Sequence, residues 1–136
     1  MVSNLEALEQ ACKNLGFEFR KDQRSYIWYG RWMNDTEIPK GMTIADLGKC
    51  AHAIHVPGAS YEVGIIDNKD GTYALVYDYW HSGGLEPLIG KQACFLAAEY
   101  GAVCAENEFR DNGYDFHREV TEDGFIEVHG TKLVEY

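Results

Sequence analysis

Positive charge is scarce in this chain: 12 Lys and Arg stand against 22 Asp and Glu, a net charge of −10 at pH 7. Phosphate backbones and anionic bilayer surfaces are held by cationic side chains, so sequence-independent binding to nucleic acid or to a membrane is excluded as a main activity. Long apolar runs are absent too. None approaches the roughly 18 residues that cross a bilayer, and MVSNLEALEQ lacks the basic start and apolar core of a signal peptide. The expected location is the cytoplasm. The four cysteines, Cys12, Cys50, Cys94 and Cys104, form no C-x-x-C pair and match no zinc spacing. Ten residues apart on one helix, Cys94 and Cys104 would lie roughly 15 Å from each other, too far for a disulfide. Buried free thiols are the expectation. There is no G-x-S-x-G, no P-loop and no dinucleotide fingerprint.

What the chain does have is a globular composition, 46% hydrophobic and 13% aromatic over 136 residues. That length suits one domain, residues 1–136, able to bury about two-thirds of its unfolded surface. Charge is unevenly spread. Lys13, Arg20, Lys21, Arg24, Arg31, Lys40 and Lys49 hold most of the cations, whereas acids dominate from Glu99 onward. An acidic C-terminal third is read first as solubility, with a DNA-mimicking inhibitor as a further alternative.

The stretch Tyr61–Trp80 organises the rest. Two runs of β-formers flank Asp67-Asn68-Lys69-Asp70-Gly71, which predicts a hairpin with Tyr61, Val63 and Ile65 on one face and Tyr73, Leu75 and Tyr77 on the matching one. Upstream, Ser3 and Glu6 make a capping-box pattern, and Leu5, Leu8, Cys12 and Leu15 recur at helical spacing, so a helix is predicted from Asn4 to Leu15 with Gly16 as its stop. Phe17–Arg20 alternates as a strand, Lys21–Gln23 as a turn, and Ser25–Trp32 as an aromatic-rich second strand. A variable loop follows over about residues 33–50, with one possible helical turn at Thr43–Leu47. Ala51–Val56 reads as a strand and His81–Gly84 as a flexible link. Beyond Pro87, Ile89, Ala93, Leu96, Tyr100, Val103 and Cys104 mark one long helix closed by Asn112-Gly113, and Tyr114–Val120 with Phe125–His129 make a second hairpin. The predicted fold is an α+β two-layer sandwich, an antiparallel sheet of about five to six strands with two helices packed on one face.

Leu15-Gly16-Phe17 after a short helix, Tyr61-Glu62-Val63-Gly64-Ile65, the turn Asp70-Gly71-Thr72-Tyr73, and then Leu75, Asp78 and Trp80 together resemble the uncharacterised family of the plastid hypothetical open reading frame thirty-five. Its members also occur in cyanobacteria, other bacteria and phages. The resemblance covers most of the chain in order, and Met33–Gly58 is closer to the phage type than to the plastid one. It implies a small α+β domain and carries no activity with it.

Histidines offer little. Cys50 and His52 share a strand face, while His55 points away; His81, His117 and His129 are scattered, although His117 and His129 can approach across the last hairpin. They read as surface or satisfied-core residues, with no metal and no cofactor. His81-Ser82-Gly83-Gly84 does not make a nucleophile site, because sequence neighbours rarely face one another. The most suggestive stretch is Arg24–Trp32. Alternation puts Tyr26 and Trp28 on one face and Ile27, Tyr29 and Arg31 on the other, and both faces cannot be core in a two-layer sandwich. Rings beside a guanidinium suit stacking on a planar ligand, and Tyr79, Trp80 and His81 can extend that surface. The same rings also suit a core or a homo-oligomer interface. The candidate ligand-binding set is therefore Arg24, Tyr26, Trp28, Tyr29, Arg31, Tyr79, Trp80 and His81. The expected function is a non-catalytic accessory or binding protein, phage-encoded in the sense of the resemblance, acting through an aromatic sheet face on a protein partner or a second copy. The alternative is a binder of a nucleotide-like small molecule.

Overall fold

Asn4, rather than Ser3, starts the first helix of the computed structural model, which describes residues 2–30 and 43–132. Its side-chain oxygen accepts from the Ala7 N–H at 3.1 Å. Ser3 misses that role because the Tyr100 hydroxyl accepts the N–H groups of Ser3 and Asn4, at 3.1 and 3.2 Å, and draws the chain inward before the helix begins. Helix α1 (Leu5–Leu15) ends at Gly16, whose φ of 78° is the left-handed cap the sequence predicts. It buries two adjoining stripes. Leu8 and Cys12 enter the main core, and Ala7 and Ala11 lie against Val103 of a later helix.

Four strands form an antiparallel meander in chain order: β1 (Glu18–Arg20), β2 (His52–His55), β3 (Val63–Asp67) and β4 (Tyr73–Val76). The register places Ile54 opposite Val63 and Ile65 opposite Leu75. Period-two alternation then turns Phe19, Ile54, Val63, Ile65, Tyr73 and Leu75 toward the helices, as the sequence predicts for the central hairpin. Its turn is held by Asp67, which accepts from Lys69 N–H at 2.8 Å, and by Asp70, which accepts from Thr72 N–H at 2.9 Å. Among the described residues, the remaining two strands, β5 (Tyr114–Val120) and β6 (Ile126–Lys132), pair only with each other, so the six described strands divide four and two. The protein is α+β, with helices covering one face of the larger sheet.

The predicted strand over Ser25–Trp32 is replaced, across its described residues 25–30, by a segment that crosses the sheet's other face and makes a single bridge, Ser25 with Lys49. Two features just before and within β3 cause this. Glu62, 2% exposed, accepts from Ile27 N–H and from Gln23 Nε2, each at 3.0 Å, while its own N–H donates to the Ile27 carbonyl at 2.8 Å, so Ile27 is tied to this one residue instead of to a strand ladder. Gly64 supplies the space: a Cβ there would fall 2.4 Å from the Tyr26 ring. Arg31 and the rest of 31–42 lie outside the described residues. The helical turn predicted near Thr43–Leu47 is present as a 3-10 turn at Ile44–Asp46.

The link at His81–Gly84 is a tied turn. His81–Gly83 is 3-10, and the Gly83 carbonyl accepts from Ser60 and Tyr61 N–H groups at 2.8 and 3.2 Å. The single long helix predicted after Pro87 is broken. α2 (Glu86–Ile89) stops at Gly90, φ 85°; Gln92 and Ala93 also have positive φ; and α3 (Cys94–Asp111) follows. The break keeps Ile89, Ala93 and Leu96 in one core while changing direction. The hairpin β5–β6 packs on α3, where Gly130 leaves room for Phe109. All four cysteines are free as expected, but only Cys12 is buried and Cys94 is exposed, because it opens α3 on the side away from the core. Among the described residues, no helix is long and apolar enough to cross a membrane.

Candidate functional site

The chain leaving β4 carries Tyr77, Asp78, Tyr79 and Trp80 toward the helix break. Asp78 is the local organiser. One of its oxygens accepts from Trp80 N–H at 2.9 Å and the other from Tyr29 N–H at 3.1 Å. That pair of bonds brings the crossing segment beside Trp80, with the Tyr29 and Trp80 rings 6.1 Å apart and tilted by 56°. Both are 47% exposed.

Behind Trp80 the Tyr79 hydroxyl donates to the Gly90 carbonyl at 2.5 Å and accepts from Ala93 N–H at 2.6 Å. The Ala93 N–H also donates to the Gly90 carbonyl at 3.0 Å, so the phenol bonds both ends of the 3-10 turn that interrupts the helix. The phenol thus satisfies the break and holds its shape. Tyr77 stacks on Tyr79, ring centres 4.6 Å apart. A groove of 390 Å³ results, walled by Tyr79, Trp80, Leu85, Pro87, Lys91 and Phe95, with Glu86 also on its rim. Phe95 is 53% exposed, and Leu88 nearby is 38% exposed. Such rings are ordinarily removed from water when a partner is present.

Burial pushes the Tyr79 phenol up to about 12, the Ala93 N–H opposing this by favouring the phenolate. A phenol raised above its ordinary value near 10 stabilises the fold fully below pH 10, and that contribution is lost as pH rises toward 12. Buried Cys12, pushed from an ordinary value near 9 up to about 12, begins to lose its contribution earlier, from pH 9. Alkaline melts are therefore expected to show stability falling from pH 9 and most steeply between pH 10 and 12. Tyr79→Phe should be less stable at pH 8 but flatter across that window; an unchanged slope would remove Tyr79 from the account.

The sequence-selected residues are divided by the fold. Tyr79, Trp80 and Tyr29 come together. Tyr26 is buried over Gly64, and Trp28 is half-buried against Gly48, where a Cβ would lie 2.6 Å from the indole nitrogen. These two rings belong to the core of the second sheet face with Ala53 and Val76. Arg24 is exposed and pairs with Asp22 at 3.6 Å, away from the rings. Arg31 lies outside the described residues, as does the side chain of His81. His52 is a satisfied core histidine whose Nδ1 accepts from Asp22 N–H at 2.9 Å. The groove adds Pro87, Lys91 and Phe95, which sequence reasoning passed over. Their signal was present: Leu88 and Phe95 are large apolar residues off the buried stripe Ile89–Leu96–Val103.

No family model, no curated protein and no solved structure matches this chain. Its reading rests on the groove.

Proposed function

We propose that this chain is a non-catalytic binding protein that receives an apolar side chain of a protein partner between Trp80 and Phe95. The observation that carries this reading is the pairing of two half-exposed rings across a groove whose floor is locked by the Tyr79 hydroxyl. A preformed site loses little ordering entropy on binding, and aromatic anchors carry most of the energy in such contacts. The net charge of −10 favours a partner segment with cations beside its apolar anchor. The hydroxyl at the floor is committed to backbone on both sides, which suits holding rather than proton transfer. We further propose that the chain is a diverged relative of the plastid hypothetical open reading frame thirty-five family; the residues behind that resemblance, such as Gly16, Val63 and Asp70, build helix ends, core and turn.

The test is a peptide-display selection on the whole protein, with counter-selection on Trp80→Ala and Phe95→Ala. Peptides sharing an aromatic or aliphatic anchor flanked by Lys or Arg are expected, each binding at least about tenfold more weakly to either variant, consistent with loss of a hot-spot ring. Enrichment indifferent to both substitutions would overturn the reading. A volume of 390 Å³ also falls in the range of small-molecule sites, about 300–1,000 Å³. For that reason a nucleotide panel read by thermal shift belongs beside the selection. Stabilisation by a nucleotide that Trp80→Ala abolishes would replace the protein partner with a small ligand.

A further inference from the structure

The outward face of the β5–β6 hairpin carries two cross-strand pairs in succession, His117 opposite His129 and Glu119 opposite Glu127. Alternation along both strands puts these four on the exposed side, while Tyr114, Phe116, Arg118, Ile126 and Val128 turn toward α3. Like charges placed directly opposite on a ribbon repel each other. Among the described residues, the ion-pair partners of Glu119 and Glu127 are imidazoles, with no Lys or Arg. His129 Nε2 stands at hydrogen-bond distance from Glu127, 3.2 Å, so a metal ion here would take the place of the proton shared between them.

We infer that this face is a zinc site formed by His129, Glu119 and Glu127, with His117 as the fourth donor. Distances support the assignment. One ligand atom from each of Glu119, Glu127 and His129 can be chosen so that all lie within 4.8 Å of one another. His129 Nε2 is 3.2 Å from Glu127 Oε2 and 3.6 Å from Glu119 Oε2. Bonds of about 2.1 Å to a tetrahedral zinc ion place neighbouring donors about 3.4 Å apart, so these two edges already have the required length. His117 stacks on His129 with ring centres 5.1 Å apart and its Nε2 lies 3.6 Å from the other Glu119 oxygen, which makes it the donor at hand for the fourth position although it stands outside the group of three.

Two imidazoles with two carboxylates are a borderline donor set suited to zinc, whereas calcium and magnesium prefer oxygen alone. The support behind the face is firm. Arg118, between His117 and Glu119 in sequence, is clamped on the inner side by Glu99 and Glu106, and Phe109 fills the space over Gly130. A ribbon fixed from behind holds donors in place better than a free hairpin would.

Titration calorimetry of the whole protein with zinc chloride, alongside melting curves with and without zinc, decides the matter. One zinc per chain is expected, with a zinc-dependent rise in melting temperature. His129→Ala should weaken binding by about 100-fold or more, since loss of an outer partner alone costs 10–100-fold. Glu119→Gln should also weaken it while leaving the zinc-free protein at least as stable as wild type, because one of two opposed charges is gone. The exposed Cys94 thiol is a competing ligand, so Cys94→Ser is included and should bind as wild type does. Absence of binding, binding that survives His129→Ala, or binding lost in Cys94→Ser would each overturn the assignment.

Discussion

Arg118→Ala is expected to lower the unfolding free energy by about 3 kcal/mol, the low end of what removing one partner from a buried ion pair costs, because the Arg118 side chain itself keeps 29% of its surface exposed. Arg118 reaches from β5 to α3 and meets two carboxylates at once. Its Nε and Nη2 donate to Glu106, both at 2.7 Å, and its Nη1 donates to Glu99 at 2.6 and 2.8 Å. The Glu99 side chain is 6% exposed and that of Glu106 is 14% exposed, so both would be left charged with little water to compensate. Among the described residues the hairpin pairs with no further strand, and a lone two-stranded ribbon is marginal. Urea unfolding measures the loss. Arg118→Lys should recover only part of it, because an ammonium cannot reproduce the two-sided fork. The triple variant Arg118→Ala, Glu99→Gln, Glu106→Gln should recover more. A loss below about 1 kcal/mol would mean that the pairs behave as surface contacts do.

Glu62→Ala is expected to cost about 2–4 kcal/mol and to loosen the second sheet face specifically. The carboxylate accepts from Ile27 N–H and Gln23 Nε2, and Arg20 donates to it at 3.3 Å. Without it the Ile27 N–H loses its partner and the Tyr26 ring loses the segment that presses it onto Gly64. Near-ultraviolet circular dichroism should lose tyrosine and tryptophan intensity, while the far-ultraviolet helix signal stays. Glu62→Gln keeps an acceptor oxygen for Ile27 and should cost less than half as much. An Ala variant with unchanged aromatic signals would show that the crossing segment is held by something other than Glu62.

These two carboxylate-centred clamps explain what was and was not legible in the chain. The central hairpin was legible because its apolar residues repeat with period two and its turn contains Asp67, Asp70 and Gly71, all acting locally. The second hairpin was legible for the same reason. Ser25–Trp32 alternates equally well, yet its backbone is bonded to Glu62 and its Tyr26 is received by Gly64, partners more than thirty residues away that no local pattern encodes. The helix break was hidden because Ile89, Ala93 and Leu96 keep helical spacing across it; the reason for the break, the Tyr79 hydroxyl, comes from another element. Surplus rings were anticipated; among the described residues the most exposed are Tyr29, Trp80, Phe95 and Phe125, whereas Tyr26 is buried and Trp28 half-buried.

The groove's role is tested most directly by a nitrogen-15 chemical-shift titration of the whole protein with a peptide selected for an apolar anchor. The predicted result is a shift of the Trp80 indole N–H and of the Lys91 and Phe95 amides, absent in Phe95→Ala. Shifts confined to other surfaces, or a response that Phe95→Ala leaves intact, would contradict it.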